Sequence, residues 1–211
     1  MKKRKYTSEE ILEIFKEQHR LSSPLDPEAE PSIEIKTEMS IRDWRCANDL
    51  LPWKKLYRFL NQEFRVNISE EEWKNALEPA KKKKLSGVCR LIAKYAEIEI
   101  VEPIKLFGAD CLSAATFLHL KRKIEEKGVD VSELRPSSRL SPYLEKHFSP
   151  LLEEITLTGI NPIEKITEKR KKKGFWNAIN IFDSDRYELL TGDIVTFRDL
   201  IDKMIEKKNE N

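Results

Sequence analysis

The stretch Asp49-Leu-Leu-Pro-Trp-Lys-Lys-Leu-Tyr-Arg-Phe-Leu-Asn-Gln-Glu-Phe-Arg-Val-Asn-Ile68 decides the fold class. Leu51, Leu56, Leu60 and Phe64 recur at near-helical spacing, and Trp53 and Tyr57 form an adjoining strip. That period puts the apolar side chains on one face and the lysines and arginines on the other, as an amphipathic helix requires. Asp49 reads as the start of this helix. Pro52 then falls in its first turn, where a missing N–H does no harm. Val66-Asn67-Ile68 reads as a brief connection.

The neighbouring segments repeat the logic. Ser69 with Glu72 predicts a capped helix carrying Trp73, Ala76 and Leu77, which Glu78-Pro79 ends. Ser40 with Asp43 predicts a short helix with Ile41, Trp44 and Ala47, and Thr7 with Glu10 opens a helix with Ile11, Leu12, Ile14 and Phe15. Pro24, Pro27 and Pro31 mark the loop between these two. Leu85, Val88, Cys89, Ile92 and Tyr95 mark a further helix. Ile98 to Pro103 alternates weakly and reads as a short strand or a linker. Beyond it, Cys111 to Glu126 predicts a helix that Gly128 stops. Ser137, Ser138 and Pro142 read as breaks before a short helix at Tyr143-Leu144, and Thr196 with Asp199 caps a last helix bearing Phe197, Leu200, Ile201 and Met204. No strict repeat is visible. A loose order of helix, long loop, helix and two shorter helices occupies residues 7 to 97 and is expected again after 103.

Composition excludes several functions. The 211 residues carry 39 Lys and Arg against 37 Asp and Glu, a formal net charge of +2, so any basic surface is local. No apolar run approaches membrane-spanning length. The basic start is followed by Thr7-Ser8-Glu9-Glu10 where a secretory signal needs an apolar segment. Cys46, Cys89 and Cys111 are odd in number and widely spaced, and His19, His119 and His147 show no metal-ligand spacing. A cytoplasmic protein without cofactor or metal is expected. Glu153-Glu154 and Asp183-x-Asp185 are read as surface and turn acids.

The Asp49–Ile68 segment resembles the second helix of acyl carrier proteins, which begins at an Asp-Ser-Leu motif. The resemblance runs over residues 7 to 97 and implies a small helical bundle. In the family, the motif serine carries phosphopantetheine; here Leu50 stands in its place and has no hydroxyl to load. Gly108-Ala109-Asp110-Cys111-Leu112 is closer to the motif in letters, with Cys111 at the serine position. A thiol at a helix start is a candidate acyl acceptor, and a small buried side chain is the ordinary alternative. Ile41 to Trp53, with Glu71-Glu-Trp73 and Leu77-Glu-Pro79, is also similar to a group of uncharacterised bacterial proteins, which adds no mechanism.

The fold expected is mostly α: a four-helix carrier-like bundle over 1–97, a linker over 98–103 and a second mainly helical region over 104–211, with room for one or two short strands near 175 to 195. Trp44, Trp53 and Trp73 are expected to form a core and its rim. Function is read as a non-enzymatic interaction or scaffold protein whose partner is another protein. The alternative is polyanion or nucleic-acid binding through Lys81, Lys82, Lys83 and Lys84 and through Lys169, Arg170, Lys171, Lys172 and Lys173, with Phe175 and Trp176 available to stack on bases. Acyl or thioester chemistry at Cys111 ranks third.

Overall fold

A computed structural model describes residues 2–170 and 187–210. The chain is mostly α and forms two units. The first comprises residues up to Glu102 together with Ile155–Ile160; the second comprises Pro103–Glu154 and the chain from Asn161 onward.

Unit 1 opens with β1 (Lys3–Lys5) and α1 (Ser8–Ser22). Thr7 and Glu10 close the capping box, with Glu10 N–H donating to Thr7 Oγ1 and Thr7 N–H donating to Glu10. There follow α2 (Ile41–Ala47), α3 (Trp53–Glu63), α4 (Glu70–Leu77), α5 (Leu85–Tyr95) and β2 (Glu97–Glu99). β2 pairs antiparallel with β1, Arg4 opposite Ile98, so this part of the weakly alternating segment is a strand of unit 1. α1 packs along α5. Ile11, Ile14, Ile41, Leu56, Leu60, Trp73, Leu77 and Ile92 are almost wholly buried between the helices, and Phe15 packs at a tilt against Trp44 and edge-to-face against Phe64. Trp44 and Trp73 are core and Trp53 is half-buried at its edge. Tyr6 donates its hydroxyl to Leu157 O at 2.6 Å, a buried bond that ties 155–160 to this unit.

Unit 2 begins with a hairpin, β3 (Ile104–Leu106) and β4 (Ala109–Cys111), turned by Phe107 and Gly108 at φ +50° and +85°. Both positive angles are what a two-residue hairpin turn of matching twist demands. α6 (Leu112–Glu126), α7 (Leu140–Lys146) and α8 (Phe148–Thr156) follow, then the antiparallel pair β5 (Thr167–Arg170) and β6 (Tyr187–Leu190), then α9 (Phe197–Glu210), which packs on α6. Pro142 does not break the chain as the sequence suggests. It occupies the first turn of α7, where its missing N–H costs nothing.

Glu153 and Glu154 correct the surface reading. Their side chains are nearly buried on α8, and Lys127 Nζ lies 2.7 Å from Glu153 and 3.8 Å from Glu154, itself nearly buried. The cation satisfies carboxylates that burial would otherwise penalise.

The units share one local construction. α3 ends at Arg65 (φ +52°) and α6 at Gly128 (φ +83°), both left-handed. In each, two backbone bonds close the helix: Val66 N to Asn61 O and Arg65 N to Gln62 O, and Val129 N to Ile124 O and Gly128 N to Glu125 O. Val66-Asn67-Ile68-Ser69-Glu70 then matches Val129-Asp130-Val131-Ser132-Glu133, with Ile68 and Val131 both buried. Next come Lys84-Leu85-Ser86 and Arg139-Leu140-Ser141, whose leucines are fully buried. Lys84 bridges Ser40 and Arg139 bridges Thr196, through Ile41 N to Lys83 O and Leu85 N to Met39 O, and through Phe197 N to Ser138 O and Leu140 N to Val195 O. The stretch from turn to bridge is eight residues longer in unit 1 (65 to 84 against 128 to 139), which is the length of α4. The bridged helix that begins Ser40-Ile41-Arg42-Asp43 precedes the rest in unit 1. Its counterpart, Thr196-Phe197-Arg198-Asp199, closes unit 2. The second half is therefore built from the same parts in rotated order, which a search for a repeat in sequence order misses.

Candidate functional site

The carrier-like position falls outside the helix start. Asp49 stands at φ +46°, with Asp49 N bonded to Cys46 O and Leu50 N to Arg45 O, the pattern that terminates a helix. Asp49 therefore ends α2 and does not begin α3, correcting the sequence reading. Aspartate is among the few residues that tolerate the left-handed region, and that property overrode its capping preference. α3 begins at Trp53 behind Pro52. Leu50 lies between the two helices, half-buried against the core of unit 1.

Cys111 is the N-cap of α6. Its Sγ accepts from Ala114 N at 3.4 Å while the residue closes the β3–β4 ladder opposite Ile104. Cys89 is wholly buried, and burial pushes its thiol up to about 12. Cys46 is exposed on α2, and all three thiols are free. Among the described residues no group of three or more His, Cys, Asp and Glu side chains is gathered for a metal, and no helix is long and apolar enough to cross a membrane.

The solvent face of α3 shows a different arrangement. Lys55 and Phe59 stand four residues apart on one line of α3, with Lys54 and Arg58 on the next, and Leu51 lies in the chain just before the helix. Leu51 is 47% and Phe59 37% exposed, and the three cations are exposed too. None of the cations forms an ion pair among the described residues. Lys54 lies over the Trp53 ring at 5.8 Å and Arg58 over Tyr57 at 5.7 Å, with Arg58 Nε donating to the Tyr57 hydroxyl. That bond holds the Arg58 guanidinium above its ordinary range. Tyr57 in turn donates to Glu70 Oε2 at 3.0 Å. Lys54 and Arg58 thus each lie over the ring of the preceding residue. The sequence reading, drawn to uninterrupted lysine runs, passed over this stripe; the four-residue spacings of Lys55 with Phe59 and of Lys54 with Arg58 were the available signal.

The lysine runs lie in different units. Lys81, Lys82 and Lys84 are exposed and Lys83 half-buried in the loop before α5, with Lys84 its N-cap. Arg42 joins them, since Arg42 N bonds to Ala80 O at 3.0 Å and Ile41 N to Lys83 O at 3.0 Å. In the second run, Lys169 and Arg170 are exposed at the end of β5, Lys169 opposite Glu188 and Arg170 opposite Tyr187. Glu188 also lies 3.3 Å from Arg139. Lys171, Lys172, Lys173, Phe175 and Trp176 lie outside the described residues, as do Asp183 and Asp185.

Comparison of the chain with family models, with characterised proteins and with solved structures finds no match.

Proposed function

We propose that this chain is a non-enzymatic interaction protein and that α3 is the face it offers to an acidic protein surface. The supporting observation is the α3 stripe, where the exposed Phe59, with Leu51 just before the helix, accompanies three cations that form no ion pair among the described residues. Apolar anchors ringed by charge of one sign suit a partner with complementary acidic residues around an apolar contact. The carrier-like resemblance is compatible with this reading as a helical bundle without a loading group. Leu50 carries no nucleophile, Cys89 is buried, and the Cys111 sulfur is engaged as a cap.

The probe is a fluorescein-labelled amphipathic helical peptide with leucine on one face and glutamate on the other. Wild type should bind it, Lys54→Glu/Lys55→Glu/Arg58→Glu should lose binding, and Leu51→Ser/Phe59→Ser should weaken it even at high salt. Equal binding by the charge-reversed variant overturns the assignment of α3. A phosphopantetheine adduct in intact mass after incubation with coenzyme A and a broad-specificity transferase overturns the unloaded reading.

A further inference from the structure

We propose that the edge formed by Arg42 with Lys81, Lys82 and Lys83 binds the phosphate backbone of duplex nucleic acid. The bonds from Arg42 N to Ala80 O and from Ile41 N to Lys83 O hold Arg42 against the run, so four cations separated by some forty positions in the chain share one edge of unit 1. None of the four forms an ion pair among the described residues, whereas other cations of the chain do: Arg4 with Glu10, Lys94 with Glu72, Arg122 with Glu126. The nearby acids are otherwise engaged. Asp43 accepts from Ser40 Oγ, Glu78 accepts from Ala80 N, and Glu38 accepts from Thr37 Oγ1 with a lesser attraction to Lys84, which is why Lys84 is left out of the set.

The placement works against folding. Arg42 is the second residue of α2, and Lys83 and Lys84 precede a first turn of α5 that contains no acid. Cations near the positive pole of a helix are disfavoured. Unit 2 makes the same choice independently. Arg198 is the second residue of α9, exposed and without an ion pair among the described residues, its N–H bonded to Pro136 O as Arg42 N–H is to Ala80 O. Arg135 and the bridge residue Arg139 flank Pro136 in the chain but are ion-paired, with Glu133 and Glu188, so Arg198 is the cation that parallels Arg42. The caps explain Ser40, Thr196, Asp43 and Asp199 at the corresponding positions, but capping does not explain an arginine at the second residue in both copies.

The chemistry of the edge selects the partner. Among the described residues, the exposed large apolar side chains of unit 1 are Leu51 and Phe59, and neither belongs to it. A protein interface draws on such anchors. Phosphate contacts need only cations, and without an aromatic ring on the edge there is nothing to stack on unpaired bases. The expected binding is therefore to duplex, without sequence preference.

The experiment is fluorescence anisotropy of the full chain with a labelled mixed-sequence DNA duplex of 20 base pairs between 50 and 200 mM salt. Four engaged phosphates give a slope of log affinity against log salt of about 3.6. R42A should lower that slope by roughly 0.9, and R42A/K81A/K82A/K83A should remove most of it, with at least about tenfold weaker binding at 50 mM. Circular dichroism checks that these substitutions, of which only Lys83 is half-buried, leave the helices intact. The variant Lys54→Glu/Lys55→Glu/Arg58→Glu should retain a salt slope from the edge, which separates this proposal from the assignment of α3. Absence of duplex binding at 50 mM overturns the proposal, as does an unchanged slope in the quadruple variant. Tighter binding of polyglutamate than of duplex at equal charge also overturns it, in favour of an acidic protein.

Discussion

Asn61 is the side chain on which the turn between α3 and α4 rests, and its removal is the sharpest test of the unit 1 core. Asn61 Nδ2 donates to Ile68 O at 3.0 Å, and its Oδ1 accepts from Ile68 N at 3.2 Å and from Trp73 Nε1 at 2.9 Å. Ile68 is 2% exposed and Trp73 is fully buried, so water cannot readily replace these bonds. Asn61→Ala strands two donors and one acceptor. Each hydrogen bond is worth about 1 kcal/mol net, and each buried group left unsatisfied costs roughly 1–3 kcal/mol. A loss of about 3–5 kcal/mol follows, a large share of the 5–15 kcal/mol typical of a domain. Trp73→Phe removes one of the same bonds, so the double variant should fall short of the summed losses by about 1 kcal/mol. Urea unfolding of the full chain, followed by far-ultraviolet circular dichroism and tryptophan fluorescence, measures all three. A cost below about 1 kcal/mol for Asn61→Ala, or strict additivity, would refute the network.

Other outcomes follow from single sites. Gly128→Ala should destabilise unit 2 by about 1–2 kcal/mol although its Cβ meets nothing within 4 Å, because φ +83° penalises any L side chain; thermal melting checks it. Lys127→Met should cost about 3–5 kcal/mol by removing the cation that Glu153 and Glu154 share, measured by urea unfolding. Iodoacetamide at pH 8 should modify Cys46 and spare Cys89 until the chain unfolds, read by peptide mass mapping. The backbone N–H of Thr196, with lesser help from its hydroxyl and from Val195 N–H, holds the Asp199 carboxyl below its ordinary range. A lowered folded value means that the cap stabilises fully above the ordinary aspartate range and loses its contribution as pH falls through the lowered value. Asp199→Asn should therefore flatten that part of the acid limb in denaturant titrations.

The helices were legible where a side chain signals a boundary by itself. Thr7, Ser40, Ser69 and Thr196 each cap the helix that the sequence assigns to them, because a short hydroxyl followed three residues later by an acid satisfies first-turn donors with local groups alone. Asp49 was misread because the same side chain suits two backbone states, and the choice was made by Leu50 N reaching back to Arg45 O. Arg65 gives no sign of ending α3 in the left-handed region, whereas Gly128 does so plainly. The burial of Glu153 and Glu154 was not legible, since it depends on Lys127 arriving from another helix. Of the surfaces proposed for binding, the sequence showed Lys81 to Lys84 but not Arg42, whose place beside them is set by backbone bonds across nearly forty positions.

The rotated order of the two units sets which features folding accounts for. Whatever both copies need in order to fold should recur: the left-handed turn, the buried Ile68 or Val131, the buried leucine after the bridge, and the capping acid. Asn61 does not recur. The corresponding position in unit 2 is Ile124, which is buried, and its turn receives no α4 and has no indole to satisfy. The α3 stripe does not recur either. The positions of Lys54, Lys55 and Arg58, counted back from the turn, fall on Phe117, Leu118 and Lys121 of α6, so only the last keeps a cation, and Lys121 donates to Leu134 O at 3.0 Å. A feature confined to one copy of a shared construction is not required by that construction, and this is what separates the α3 face from the scaffold. The arginine at the second helical residue is the opposite case: it recurs, yet its charge sits at the pole where folding gains nothing from it. One surface is marked by being unique and the other by being repeated against the dipole, which is why their binding tests are independent.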